Sequence, residues 1–215
     1  MADYYDTFPD RCDLLGPKMV SAFKARHFDA YYCKTAEDAK NQALDLIPEG
    51  SSVSWAGSLT IRDIGLVDAI SAGNYDYIDR ELAKDAEEKE LMMRKTFSVD
   101  TFLSSANAIT EDGEFVNIDG LGNRVAAITF GPKSVIIIVG MNKVCKTLED
   151  AYIRARNCAA PLNTLRFGLE TPCSKTGSCA DCKSPSSVCT YISATRLSKP
   201  AGRIKIILVA EPLGY

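Results

Sequence analysis

Two short runs limit the fold more than any other feature of the chain: Ser134–Gly140, SVIIIVG, and Ile204–Ala210, IKIILVA. Each is apolar on successive residues rather than on alternate ones, so both faces of the strand it forms must be covered. Neither run is long enough to span a bilayer. Strands buried on both faces belong to parallel sheets sandwiched by helices, and the rest of the chain supplies those helices in alternation. The pattern predicts helices over residues 13–27, 35–47, 57–73, 80–97 and 147–161. It predicts strands over 28–33, 51–56, 75–79 and 99–110, together with 114–119 returning as a hairpin through Glu111-Asp112-Gly113. Thr35 is a good N-cap, followed by acidic residues in the first turn. The expected fold is α/β: a mainly parallel, Rossmann-like sheet with helices on both faces and one hairpin.

The 215 residues suffice for one sizeable core, and 46% hydrophobic with 25% charged residues is ordinary globular composition. A formal net charge of −3 offers no general basic field for nucleic acid. The N-terminus MADYYDTFPDRC lacks the basic start and apolar stretch of a secretory signal, so a cytoplasmic protein is expected, with no membrane partner.

In parallel α/β folds, ligands bind where strands end and loops meet helices. Two such places stand out. In Ser54–Thr60, SWAGSLT, a strand enters Gly57, Ser58 and Thr60 ahead of a helix. Exposed N–H groups and the two hydroxyls there can hold a phosphate or carboxylate, or Ser58 or Thr60 can simply cap the helix. Complete P-loop and dinucleotide glycine patterns are missing, so there is no nucleotide fingerprint. In Ser104–Arg124, polar residues collect around turns: Asn107, Glu111, Asp112, Glu114, Asn117, Asp119, Asn123 and Arg124. Glu111, Asp112 and Glu114 are candidate general bases and Arg124 a candidate anion clamp. Turns also favour Asn, Asp and Gly for backbone reasons alone.

Four of the eight cysteines fall within Pro172–Cys189: Cys173, Cys179, Cys182 and Cys189, spaced C-x5-C-x2-C-x6-C. In a reducing compartment such clustering points to metal or redox chemistry rather than disulfides. The spacing matches neither paired zinc knuckles nor a bacterial ferredoxin run. A four-cysteine zinc or iron–sulfur site, a Cys179/Cys182 redox pair and mere packing all remain open. Lys175 and Lys183 would favour thiolate. Cys12, Cys33, Cys145 and Cys158 are expected to pack as small apolar residues, Cys158 being the one nearest a turn of interest. His27, the only histidine, reads as a surface or helix-end residue.

The stretches WAGSLTIRDIGL, NAITEDGEFVNIDGLGNRVAAITFGPKSVIIIVGMNKV and ARNCAAPLNTLR resemble the LUD-domain family, the lactate-utilization group that includes lactate-utilization protein C. The resemblance runs from about residue 10 to the C-terminus. The cysteine-rich stretch resembles a single-domain branch of that group. It implies one domain over residues 1–215, with residues 172–189 as a cysteine-rich insertion. It also implies a fold like the ribose-5-phosphate isomerase, CoA-transferase and formyltetrahydrofolate cyclo-ligase superfamily. A small anionic metabolite (phosphorylated, carboxylate or CoA-linked) would bind at Gly57, Ser58, Thr60, Asn107, Asn123 and Arg124, with Asn163 and Arg166 as further contributors. The functional expectation is a role in lactate or organic-acid utilization. The alternatives are a non-catalytic accessory subunit among oxidoreductase partners, or an isomerase or acyl-transfer enzyme; a homo-oligomer stays open.

Overall fold

A computed structural model describes residues 4–215. Along the chain run α1 (Tyr4–Ala25), β1 (Asp29–Cys33), α2 (Ala36–Asp45), β2 (Ser52–Trp55), α3 (Leu59–Asp63), α4 (Leu66–Ala72), β3 (Asp76–Ile78) and α5 (Ala86–Lys95). The second half comprises β4 (Thr101–Ser104), β5 (Ala108–Thr110), β6 (Phe115–Asp119), α6 (Asn123–Thr129), β7 (Ser134–Gly140), β8 (Val144–Cys145), α7 (Leu148–Arg154), α8 (Ala160–Arg166), α9 (Pro172–Thr176), β9 (Tyr191–Thr195) and β10 (Ile204–Val209). Six strands form one sheet in the order β1-β10-β7-β4-β2-β3, and every pairing in it is parallel. The two apolar runs became its adjacent central strands, β7 and β10, in register from Ile204 opposite Val135 to Val209 opposite Gly140.

Alternate residues of β7 feed separate cores. Val135, Ile137 and Val139 pack with Met19 and Phe23 of α1, whereas Ile136 and Ile138 pack with Ala39 and Ala43 of α2 and with Ile70 of α4. All five β7 side chains are fully buried, each contributing roughly 1.5–3 kcal/mol over an exposed position. Thr35 accepts from the Asp38 N–H at 3.1 Å while Asp38 accepts from the Thr35 N–H, a complete capping box that fixes the start of α2. His27 is exposed just past the end of α1, in the left-handed region at φ 64°, as a helix-end residue.

Three expectations change. The segment 99–110 is not one strand: β4 ends at Ser104, and β5 leaves for a second sheet ordered β8-β5-β6-β9. The Asn107 Oδ1 accepts from the Ile118 N–H at 2.9 Å, satisfying a backbone group where the strand breaks. The hairpin β5–β6 is antiparallel as expected but belongs to this small sheet. Residues 57–73 divide into α3 and α4 at Gly65, whose φ of 73° suits glycine. The helix beginning at Leu148 does not stop at Pro161. A π-helical stretch, Ala155–Ala159, precedes the proline, and the chain stays helical to Arg166. Such a widened turn tolerates a residue that lacks a donor N–H.

Candidate functional site

Every loop that leaves the carboxyl end of β2, β4, β7 or β10 opens onto one cavity of about 1270 Å³. Ala56–Thr60 follows β2, Ser105–Asn107 follows β4, Lys143 follows β7, and Gly214 and Tyr215 follow β10. The remaining wall comes from the turn between β6 and α6, from α5, and from Asn163 and Arg166 of α8. All eight expected ligand residues therefore line the same cleft: Gly57, Ser58, Thr60, Asn107, Asn123, Arg124, Asn163 and Arg166.

Their roles differ from one another. Ser58 stands at the N-cap position of α3 but makes no capping hydrogen bond, and its N–H is taken by the Ala56 carbonyl at 2.7 Å. A five-residue helix has little dipole to offer, so the loop contributes hydroxyls rather than a nest of free N–H groups. Asn107 is half-buried and holds Arg124, its Oδ1 accepting from the Arg124 Nη2 at 3.0 Å. Arg124 also donates from Nε to Asp119 at 2.9 Å, and the other carboxylate oxygen of Asp119 accepts from the Val125 N–H at 2.8 Å. This carboxylate thus fixes both the guanidinium and the first turn of α6, which Gly122 enters at φ 79°. Arg166 is less committed. It reaches the Gly57 carbonyl at 3.4 Å, stacks over the Phe167 ring at 4.3 Å, and keeps a buried Nε with no partner.

The residue that sequence reasoning missed is Lys143. Its side chain is 3% exposed, on the cleft floor, and its Nζ lies 3.3 Å from each of three neutral acceptors: Thr60 Oγ1, Ser105 Oγ and the Ala106 carbonyl. Burial, then the charges of Arg154 and Arg124, push its pKa from 10.5 to about 7, with Asp63 opposing weakly. Among the described residues neither Lys143 nor Arg166 has a carboxylate within ion-pair distance. The signal was present in the sequence: Lys143 lies three residues beyond the most buried strand, where the strand-end rule directs attention.

The candidate bases are elsewhere. Asp112 and Glu114 pair with Arg26 at the end of α1, Glu114 also with Arg196 at 3.4 Å, and Glu111 with Lys146 at 2.6 Å. None of the three lines the cleft. Their positions follow from the hairpin turn packing against α1 rather than facing the strand ends; the Gly113 Cα approaches the Ala22–Phe23 backbone too closely to admit a Cβ.

The cysteine-rich stretch starts as the short helix α9 and then runs without helix or strand over residues 177–190. Cys173 is buried. Burial raises its pKa, but hydrogen bonds from the Thr164 and Thr171 hydroxyls and from the Cys173 and Ser174 N–H groups bring it below the ordinary thiol value. The cation that bonds a sulfur is Arg156, which reaches Cys179 at 3.5 Å and also pairs with Asp181. Cys189 is pushed up by burial and by its nearness to Cys179, Cys173 and Cys182. All eight cysteines are free thiols, and among the described residues no group of three or more His, Cys, Asp or Glu side chains is arranged to hold a metal ion. Cys12 and Cys33 are buried as expected, Cys145 is half-buried, and Cys158 is exposed. Among the described residues no helix is long and apolar enough to cross a membrane.

The chain is similar in fold to the crystal structure of a DUF162 family protein from Deinococcus radiodurans. That alignment covers 92% of this chain and 97% of that one, with a TM-score of 0.54 at 11% identity. Looser likenesses are to eIF2B beta from Chaetomium thermophilum (TM-score 0.38, 16% identity, covering 54% of this chain and 44% of that one) and to ribose 5-phosphate isomerase A from Neisseria gonorrhoeae (TM-score 0.35, 13% identity, 54% and 57%). No curated protein matches the chain. The LUD-domain profile matches residues 17–209, which take in the whole six-stranded sheet and nearly all of the cleft. The chain belongs to the LUD-domain family, and so to the lactate-utilization-related proteins.

Proposed function

We propose that the chain binds a small anionic metabolite in the cleft at the carboxyl ends of β2, β4, β7 and β10, in the service of organic-acid utilization. One observation carries this reading: the cleft has the opposite charge balance to the molecule. The chain as a whole is formally −3, yet its cleft is lined by seven lysines and arginines against three carboxylates. Two of those basic side chains, buried Lys143 and half-buried Arg166, have no carboxylate within ion-pair distance among the described residues. A buried cation without a counter-charge is costly, and an anionic ligand is the partner that relieves the cost. The volume exceeds what a three-carbon acid fills, which favours a phosphorylated or CoA-linked anion over a bare carboxylate.

The test is a thermal-shift series with phosphate, pyrophosphate, lactate, pyruvate and coenzyme A on wild type and on Arg166→Ala. Stabilisation that rises with anion concentration in wild type and falls at least tenfold in apparent affinity in the variant supports the reading. Equal shifts in both proteins, or none in either, dismiss it.

A second proposal concerns the cysteines. Cys189 lies within electrostatic reach of Cys173, Cys179 and Cys182, and the chain from Gly177 to Cys189, past the short helix that carries Cys173, is free of regular structure, which suits closure onto zinc or an iron–sulfur cluster. Metal analysis with visible absorbance on anaerobically purified protein decides it. Iron with colour means a cluster, stoichiometric zinc without colour a structural clamp, and neither removes the proposal.

A further inference from the structure

We propose that Lys143 is the nucleophile of the cleft: its Nζ forms a Schiff base with the carbonyl group of an organic anion whose charge rests on Arg166 and Arg124. The proposal rests on the anion-cleft reading and adds a substrate class to it, a carbonyl compound that also carries a carboxylate or phosphate.

The surroundings of the amine are the ones a Schiff-base lysine needs. It is desolvated, it has cationic neighbours, and no carboxylate holds it in the ammonium form, which together favour the free amine that attacks carbonyl carbon. A lysine kept for structure would be expected to meet a carboxylate. Lys143 meets two hydroxyls and one carbonyl, all at the long distance of 3.3 Å. A neutral amine has two hydrogens and one lone pair. It can donate to the Ala106 carbonyl and to one hydroxyl while the lone pair faces the cavity. Those hydroxyls, Thr60 and Ser105, lie 3.3 Å from the nitrogen, within reach of donating to a carbinolamine oxygen formed on the carbon it attacks. Arg124 is held rigidly by Asp119 and Asn107, and Arg166 is loosely held; the two provide a fixed and an adaptable contact for the anionic group.

The step balances without any outside oxidant or reductant. The nitrogen lone pair forms the C–N bond and the carbonyl π pair moves to oxygen. A proton passes from nitrogen to that oxygen to give the carbinolamine; a second proton, taken from solvent, lets the hydroxyl leave as water while the nitrogen lone pair closes the iminium C=N bond. The iminium then acts as an electron sink for bond breaking at the neighbouring carbon.

The experiment treats the full chain with glyoxylate or pyruvate and cyanoborohydride at pH 7, then maps modified lysines by peptide mass spectrometry. Cyanoborohydride supplies the hydride that makes the adduct permanent. Lys143 is expected to be modified on the order of a hundredfold faster than exposed lysines such as Lys146, because its buried amine has no carboxylate partner whereas Lys146 is held as the ion-pair partner of Glu111. Pyrophosphate should slow that modification and leave the surface lysines unchanged. Modification of Lys143 no faster than that of Lys146 overturns the Schiff-base assignment. Since wild type is the labelled protein, no variant has to fold for the result to count. If anions shift the melting temperature through Arg166 and Lys143 stays unmodified, the nucleophile fails alone. If anions produce no shift, the cleft reading fails with it.

Discussion

Lys143 should make the stability of this protein rise with pH in a window where an ordinary lysine contributes nothing. Its pKa falls from 10.5 in the unfolded chain to about 7 in the folded one. Below pH 7 both states hold the proton and the folded state bears the full cost of a buried ammonium. Between pH 7 and 10.5 the unfolded chain binds more protons than the folded one, so stability increases with pH. At 1.36 kcal/mol per unit, the whole shift amounts to roughly 5 kcal/mol, of which about half is recovered between pH 6 and pH 9. Lys143→Met keeps the length and apolar stem and deletes the titration. Urea unfolding of wild type and variant at pH 6, 7.5 and 9 isolates the effect, because other groups titrate equally in both and cancel in the difference. The variant should be the more stable protein at pH 6, and its advantage should shrink by roughly 2–3 kcal/mol by pH 9. A difference that stays constant to within 0.5 kcal/mol, or so, would refute the claim that the amine is desolvated without a counter-charge.

Other perturbations test the frame around the cleft. Gly140→Ala places a Cβ 2.6 Å from both the Glu211 carbonyl oxygen and the Leu213 nitrogen, and should cost roughly 1–3 kcal/mol in chemical denaturation. Backbone conformation at Gly140 is ordinary, at φ −68°, so Gly140→Ser should be equally costly; a neutral result for either would mean that the C-terminal segment moves aside freely. Asp119→Ala frees Arg124 within a mostly buried pair, with side chains 11% and 16% exposed, and should lower stability by about 3–5 kcal/mol. Glu111→Ala removes only an exposed pair with Lys146 and should change it by less than about 1 kcal/mol, leaving anion-induced thermal shifts intact; lost shifts would return Glu111 to the site. In native alkylation followed by mass spectrometry, Cys158 should react well before Cys12 and Cys33, where burial raises the thiol pKa, at Cys33 to about 11.

The parts of this molecule legible in the sequence are those that local pattern controls. SVIIIVG and IKIILVA specify two strands buried on both faces, and two-sided burial leaves little besides a parallel sheet between helices. Thr35 with Asp38 announces a helix start from four residues of sequence. The loop at Gly57–Thr60 and the pair Asn123-Arg124 were expected beside a cleft because a rule about strand ends says where to look, and both line it. The strand predicted across residues 99–110 failed for a tertiary reason: the Asn107 side chain bonds the backbone of Ile118 and the Arg124 guanidinium, so the chain turns into another sheet at a point that looks continuous in sequence. The carboxylates Glu111, Asp112 and Glu114 drew attention because turn composition resembles active-site composition, and packing sets their turn against Arg26 and outside the cleft lining. The strand-end rule points to the position of Lys143, but for a similar reason its burial was not legible. Its burial is made by Thr60, Ser105 and Gly214, which come from separate parts of the chain.

That burial is also what separates the cleft from an incidental gap between loops. A methionine at position 143 would fill the same space with no desolvation cost, so a lysine there makes the fold weaker by several kcal/mol at neutral pH. Local rules are broken in folded proteins chiefly where function requires it, with the cost met by the surrounding structure. Here the surrounding structure is the strongest part of the fold: β7 and β10, adjacent, fully paired and buried on both faces, end directly beneath the lysine. Asp119, Asn107 and Arg124 fix one wall through four hydrogen bonds. Arg166, which lines the same cavity, keeps an unpartnered nitrogen, a second polar group left unsatisfied there. A desolvated lysine amine and an unsatisfied arginine nitrogen at one cavity are better explained by a site for an anionic ligand than by two separate packing faults.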